Sequence, residues 1–399
     1  MSKARAATMV KLKELIVDSC YGTSRPSSPD GTTPVVGIPN VREGKVHLTA
    51  SSHVDLPETE REKLVLRPGD ILLMRTNGNR EVVGQTGLVE TETDAVFASY
   101  LVRLRVDTAR VIPSYLNHWM NSPAGRHQVQ RVITEAGQAN VNPSELQRQV
   151  RLPLPRLAEQ RRVDRMLCLW DAAVEKTEKL IESKRPARIA AALTLQENLD
   201  GRWVRIGDVC FLSKGGGLSK RDLGSGARYP CILYGELHTV YAEVITETLS
   251  RTDIKSQVTA NNGDVLIPSS SETREDLARA SALRIDGVLI GGDINILRAK
   301  QQDVYDPDYL AFCLTHLARR KIARVAQGYS VVHLYGSDIA ALEVKLPSLE
   351  KQRRVADVLN LASREVAMLE SLESQYRVQR RAIQDAVFGT RTLGTPYDS

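Results

Sequence analysis

The chain has 399 residues, 42% hydrophobic and 26% charged, which is globular composition and too long for one ordinary core, so two or more domains are expected. Its net charge of +6 permits a polyanionic partner, but 48 acidic residues nearly balance 54 basic ones, so a binding surface must come from local arrangement and not from a basic tail. The chain offers no apolar run near the roughly 18 residues of a membrane span, no secretory signal, and no paired CxxC among its five cysteines, so a cytoplasmic protein without a metal site is the expectation.

In chain order, Met1–Thr8 reads as loose and is followed by a short apolar opening at Val10-Lys11-Leu12. A Gly-rich turn, Tyr21-Gly22-Thr23-Ser24, precedes β-like runs at Lys63–Met74 and Val96–Val106. Pro113–Asn121 reads as helix, and a last apolar stretch enters Leu154-Pro155 ahead of a long helical pattern at Leu157–Leu199. The same series then recurs: Val204-Arg205-Ile206, a glycine turn at Lys214-Gly215-Gly216-Gly217, β-like Asp264–Pro268 and Val288–Arg298, helix-like Pro307–Lys321, and Leu346-Pro347 with a second long helix. Residues after Gly394 again read as loose.

The recurrence is a duplication at an offset of 192–194 residues. LPxLxxQRRV stands at 154–163 and 346–355, Gly69-Asp70-Ile71-Leu72 matches Gly263-Asp264-Val265-Leu266, and Pro113-Ser114-Tyr115-Leu116 matches Pro307-Asp308-Tyr309-Leu310. A period this long means two tandem domains, since solenoid repeats are far shorter. The expected architecture is α/β (α+β). A first domain occupies 1–155 and a first long helix 156–199; a second domain occupies 200–348 and a second helix 349–390, with a tail at 391–399.

Apolar residues recur at heptad spacing in both helices, which predicts an antiparallel two-helix coiled coil. The predicted seam is Val163, Trp170, Val174 and Leu180 on the first helix, and Val355, Ala362, Leu369, Tyr376 and Ile383 on the second. Thr177 and Lys184 are polar intrusions, and Pro186 predicts a kink or short break because it lacks a backbone donor. The Gln-Arg-Arg triplets at 160–162 and 352–354 stand at the domain–helix junctions, where anchoring or partner docking is favoured over phosphate contact.

No catalytic residue is predicted. There is no phosphate loop, no HExxH pair and no strand–GxGxxG–helix setting around Gly215-Gly216-Gly217. Asn142-Pro143 reads as a turn into a helix, and Asp308 as a helix cap and not part of a nuclease site. Instead, three polar loops per unit have the composition of base readers. In the first unit these supply Thr23, Ser24 and Arg25; Arg75, Asn77, Asn79 and Arg80; and Gln138 and Asn140. In the second they supply Lys214, Lys220 and Arg221; Ser269, Ser271 and Arg274; and Tyr329 and Ser330. The loops occupy matching positions yet differ in sequence, as two readers with different targets would.

The ordered pair of LPxLxxQRRV helices, the GDIL and GDVL segments and the opening at 11–16 with YGTS at 21–24 resemble the specificity subunit of type I restriction–modification enzymes. The resemblance implies two target recognition domains that each read part of a bipartite asymmetric double-stranded DNA site, with the helices setting the unread spacer. It further implies docking of two adenine-N6 methyltransferase subunits and a motor-nuclease subunit. Any S-adenosylmethionine, ATP and Mg would belong to those partners, with no cofactor on this chain. Two other readings are a coiled-coil scaffold with protein-binding ends and a self-contained methyltransferase or nuclease.

Overall fold

A computed structural model describes residues 8–389 apart from 29, 50–51, 135–137, 198 and 256–257; the expected tail at 391–399 and nearly all of the loose start lie outside the described residues. The chain divides into two compact units, one of residues 1–178 and 371–399 and the other of residues 179–370. Each long helix is therefore shared between units, and neither forms a body of its own.

In the first unit, β1 (Thr8–Lys11) precedes β2 (Ile16–Tyr21), β3 (Ile71–Met74), the two-residue β4 (Thr76–Asn77) and β5 (Leu101–Val106). Helices α1 (Pro113–Met120) and α2 (Pro123–Gln130), β6 (Ala139–Val141) and β7 (Arg151–Leu154) follow, and then α3 (Leu157–Glu197) begins. Within a six-stranded sheet, β5 lies between β2 and β3 and is antiparallel to both. All four residues of β3 are buried, which explains its unbroken apolar run. β1 and β7 pair antiparallel and bring the two ends of the domain together.

The second unit repeats this plan. It contains β8 (Arg202–Arg205), β9 (Cys210–Lys214), β10 (Val265–Pro268), β11 (Ser270–Ser271) and β12 (Ile294–Ala299), then α4 (Pro307–Phe312) and α5 (Arg319–Val325). It closes with β13 (Val332–His333), β14 (Glu343–Leu346) and the start of α6 (Leu349–Phe388). β12 lies between β9 and β10, and β8 pairs with β14 as β1 does with β7. The helix expected over 307–321 is interrupted by a π turn at Cys313–Leu317.

The duplicated motifs turn out to be scaffold. Gly69 and Gly263 take φ of +92° and +96°, a left-handed turn that favours glycine. The turn buries the next aspartate. Asp70 receives the Arg67 N–H at 2.9 Å and Arg105 at 2.7 and 3.1 Å; Asp264 receives the Asn261 N–H at 2.8 Å and Arg298 at 2.9 and 2.6 Å. Each aspartate thus clamps its central strand, β5 or β12, by a bidentate pair. The Tyr115 hydroxyl donates to the Pro153 carbonyl at 3.1 Å, and Tyr309 to the Lys345 carbonyl at 3.0 Å. Asn142 caps the helix it precedes, accepting from Ser144 and Glu145 N–H groups. The second-unit cap is Asp306, not Asp308: Asp306 accepts from the Tyr309 N–H, whereas Asp308 holds Arg284 and Asn360.

The glutamine of each QRR triplet anchors a long helix. Gln160 accepts the Ile112 N–H at 2.9 Å and donates to Pro155 and Arg110 carbonyls; Gln352 accepts the Asp306 N–H at 2.9 Å and donates to the Pro347 carbonyl. Both glutamines are buried, while the arginines beside them are exposed. The buried glutamines carry the anchoring, and Arg353 adds an exposed pair with Asp303 at 2.8 Å.

In each unit the two helix segments run antiparallel. In the first, Asp171 meets Arg380, Glu178 meets Arg377, and the Trp170 ring sets its edge on Tyr376 at 5.6 Å between centroids. In the second, Lys184 meets Glu365 at 2.8 Å, Arg185 meets Glu370 at 2.5 Å, and Arg188 donates to Ser363 at 2.6 Å. Glu178–Arg377 and Arg185–Glu370 are the same pair by repeat offset. Val174 is buried, Val163 and Val355 are buried in the cores of their own globular domains, and Trp170, Ala362, Leu369, Tyr376 and Ile383 are half-buried. Leu180 is not in the seam: it is 41% exposed, and Ile181 at 8% takes the place, because the heptad steps from Val174 through Thr177 to 181. Thr177 is buried without penalty, its hydroxyl donating to the Ala173 carbonyl at 2.8 Å. Nor does Pro186 break α3, which is continuous; Pro186 and Glu182, the residue four positions before it, both lie on the exposed face, where the carbonyl that loses its helix donor is open to solvent.

Candidate nucleic-acid interface

Strand register decides where the polar loops go. Tyr21 at the end of β2 pairs with Val102, and Met74 at the end of β3 pairs with Leu101. The loops after β2 and β3 therefore leave from the same end of the sheet. Gly22 makes the first exit: a Cβ there would meet the Phe97 carbonyl oxygen at 2.1 Å. Its neighbour Thr23 donates its N–H to Phe97 at 2.8 Å and accepts from Ser99 at 2.8 Å. Beyond β3, Arg75 donates its N–H to the Tyr100 carbonyl at 2.9 Å, and Thr76 and Asn77 pair in register with Asn140 and Ala139. All three loops predicted in the first unit meet here.

Within this cluster the Arg75 guanidinium lies over the Tyr21 ring at 5.2 Å from its centroid, and Tyr21 and Tyr100 are exposed beside it. The Arg75 Nε and the Asn140 Oδ1 are buried without a hydrogen-bond partner. Asn77 and Asn79 accept the Asn79 and Glu81 N–H groups at 2.8 and 3.0 Å, Asx turns that occupy Oδ1 and leave the amide Nδ2 donors for a ligand. Ser24 and Gln138 are exposed. Thr23 is buried, with its hydroxyl accepting the Arg25 N–H, and so serves the loop itself. The Arg25 side chain pairs with Glu60 at 3.1 Å.

The second unit assembles the same end from different residues. Gly215 follows β9, where a Cβ would meet the Gly291 carbonyl oxygen at 1.9 Å, and its N–H bonds Ile294 at 2.8 Å. Ser270 and Ser271 pair with His333 and Val332, and Ser269 donates its N–H to Asp293 at 2.8 Å. Ser269 holds the Arg75 position of the repeat, and its buried hydroxyl also lacks a partner. Lys214 lies 3.4 Å from Asp293. Lys220 and Arg221 are exposed on one helical turn, whose Asp222 carboxyl is held below its usual range by the Ser219 hydroxyl and N–H. Gly328, at φ +119°, presents Tyr329 with its side chain wholly in solvent, next to exposed Ser330 and Val331.

Two of the predicted readers carry a second duty. Arg80 donates to the Gln130 carbonyl at 3.1 Å at the end of α2, and Arg274 donates to the Ala326 carbonyl at 2.6 Å just past α5. They occupy equivalent repeat positions, and both satisfy helix C-terminal carbonyls. An arginine in a polar loop looks the same in sequence whether it caps a helix or faces DNA. Exposed Tyr100 also lies at the loop end of the first unit and was not singled out in the sequence, where it carries no periodic or turn signal.

Residues 201–373 match the profile of the type I restriction modification DNA specificity domain. The chain is 29% identical over 161 residues to the type I restriction enzyme EcoKI specificity subunit of Escherichia coli K12, covering 39% of this chain and 34% of that one. It is 27% identical over 172 residues to the StySPI specificity subunit of Salmonella potsdam, covering 41% and 37%. By these matches the chain is similar to type I restriction–modification specificity subunits. Each match spans little more than a third of the curated relative. In fold, the chain is similar along its whole length to the S subunit from M. genitalium, with a TM-score of 0.64 at 13% identity and coverage of 98% and 99%. A second solved structure, described as bearing on complex assembly and conformational transition of the type I system, gives 0.56 at 19% identity with coverage of 98% and 99%. No helix among the described residues is long and apolar enough to cross a membrane.

Proposed function

We propose that the chain is the DNA-reading subunit of a type I system, in which each repeat unit recognises one half of a bipartite, asymmetric double-stranded site. The observation that carries this reading is the convergence, at the same sheet end of both units, of three polar loops that match in position and differ in sequence. Identical loops would specify a symmetric site. Arg75 with Asn77, Asn79 and Asn140 in one unit, and Lys220, Arg221, Ser271 and Tyr329 in the other, supply hydrogen-bonding groups and apolar contact surface for base edges and phosphates.

The chain itself performs no chemistry in this account. It docks two adenine-N6 methyltransferase subunits, with a motor-nuclease subunit joining for cleavage, and S-adenosylmethionine, ATP and Mg serve those partners in the cytoplasm. Duplication supports two equivalent docking places: Met9 and Trp203, and Val17 and Phe211, are repeat-equivalent pairs of exposed apolar residues outside the reader loops. The test is to map N6-methyladenine in the host genome with and without the gene. Loss of one bipartite asymmetric motif supports the reading; an unchanged methylome in a host whose methyltransferase co-purifies with this chain rejects it.

A further inference from the structure

Where the first domain meets the long helix, three side chains from two helices face one another. His118 comes from α1, and Asp164 and Cys168 from one turn of α3, four residues apart and hence on one helix face. His118 Nε2 lies 3.7 Å from Asp164 Oδ1 and 3.7 Å from Cys168 Sγ, and the last two are themselves 3.7 Å apart. The same three atoms close the triangle. Tetrahedral zinc, with bonds of about 2.3 Å to sulfur and about 2.0 Å to nitrogen and oxygen, needs donor–donor edges of roughly 3.3–3.6 Å. Shifts of a few tenths of an ångström would complete one face of such a tetrahedron.

A second observation points the same way. The Asp171 carboxylate stands 3.9 Å from Nδ1, the other imidazole nitrogen, where metal sites place the group that orients a histidine ligand. Asp171 is itself fixed by Arg380 of α6. The imidazole is buried, whereas Cys168 reaches the surface and gives an ion its entry. Among the described residues the second unit has no such set: by repeat offset these positions hold Phe312, Ala356 and Asn360, and Asn360 bonds Asp308 at 2.7 Å.

We propose that His118, Asp164 and Cys168 bind a divalent transition-metal ion of the zinc class, with water in the fourth position. The mixed nitrogen, oxygen and sulfur donor set selects such an ion over magnesium or calcium. Without an ion, burial and the two aspartates push the Cys168 thiol up to about 12. On binding, the metal–sulfur bond replaces the S–H bond and the proton leaves to solvent. The ion staples α1 to α3, joining the first recognition domain to its helix independently of DNA.

The experiment titrates the metal-free, reduced full chain with Co(II) and follows the thiolate-to-cobalt charge-transfer band. The wild type is expected to bind one equivalent with that band, and Cys20→Ser to behave alike. Cys168→Ser should lose the band, and Asp164→Asn should bind at least tenfold more weakly. Zn(II) should raise the melting temperature of the wild type and leave that of Cys168→Ser unchanged. Absence of the band in the folded wild type, or its persistence in Cys168→Ser, overturns the proposal.

Discussion

At one pair of repeat-equivalent positions the two units carry Arg105 and Arg298, each held in a bidentate pair by the aspartate of the Gly-Asp turn. At another pair, one sheet strand away, they carry Arg75 and Ser269, which share only a buried polar atom without a partner. The first pair holds strands together and has stayed the same; the second faces the converging loops and has diverged. A duplicated reader is free to change where no scaffold bond depends on the side chain. The helix-packing faces diverge as well. The second unit, with Phe312, Ala356 and Asn360 at the positions of the His118 cluster, instead packs Arg188, Glu243 and His316 together, each largely shielded from solvent.

That asymmetry predicts its largest effect at Glu243. Burial opposes its ionisation, but hydrogen bonds from His316 and Arg188 outweigh it and hold the carboxyl at about 2. A carboxyl depressed when folded stabilises above its ordinary value near 4.5 and loses that contribution as pH falls toward 2. Glu243→Gln should cost about 3 kcal/mol at pH 7 by urea denaturation and flatten the acid limb below about pH 5. An unaltered acid limb would show that the triad does not set this stability.

Next in size, Arg75→Ala should weaken the complex roughly tenfold or more and relax base preference in one half-site only, read by binding to duplexes varied one position at a time. Tyr329→Ala should do the same for the other half-site, through lost contact of its ring and hydroxyl with the groove. Equal losses at both halves in either variant would break the division of labour. Ile181→Ala should cost about 2 kcal/mol and Leu180→Ala under about 0.5 kcal/mol in thermal melts, separating seam from surface. Arg274→Ala should remove about 1 kcal/mol of stability through the lost carbonyl cap, with less effect on DNA affinity than Arg75→Ala.

Much of this architecture was legible because a duplication displays its own register. LPxLxxQRRV marks both helix starts, and the loops after GDIL and GDVL identify themselves as equivalent. What escaped was whatever needed contact across the chain. Two-residue strands such as Thr76–Asn77 carry no periodic signal, so their pairing with 139–140 was invisible. The seam at Leu180 was misplaced by one residue because both 180 and 181 are apolar and only packing chooses between them. His118 lies too far along the chain from Asp164 and Cys168 to form a spacing motif.

The central claim is that each unit reads its own half-site. It is tested most directly by replacing residues 8–154 with the equivalent domain of a family member of different specificity, then mapping N6-methyladenine in the host. The account predicts a motif with one half changed and the other half and the spacer length retained. A change in both halves would contradict it.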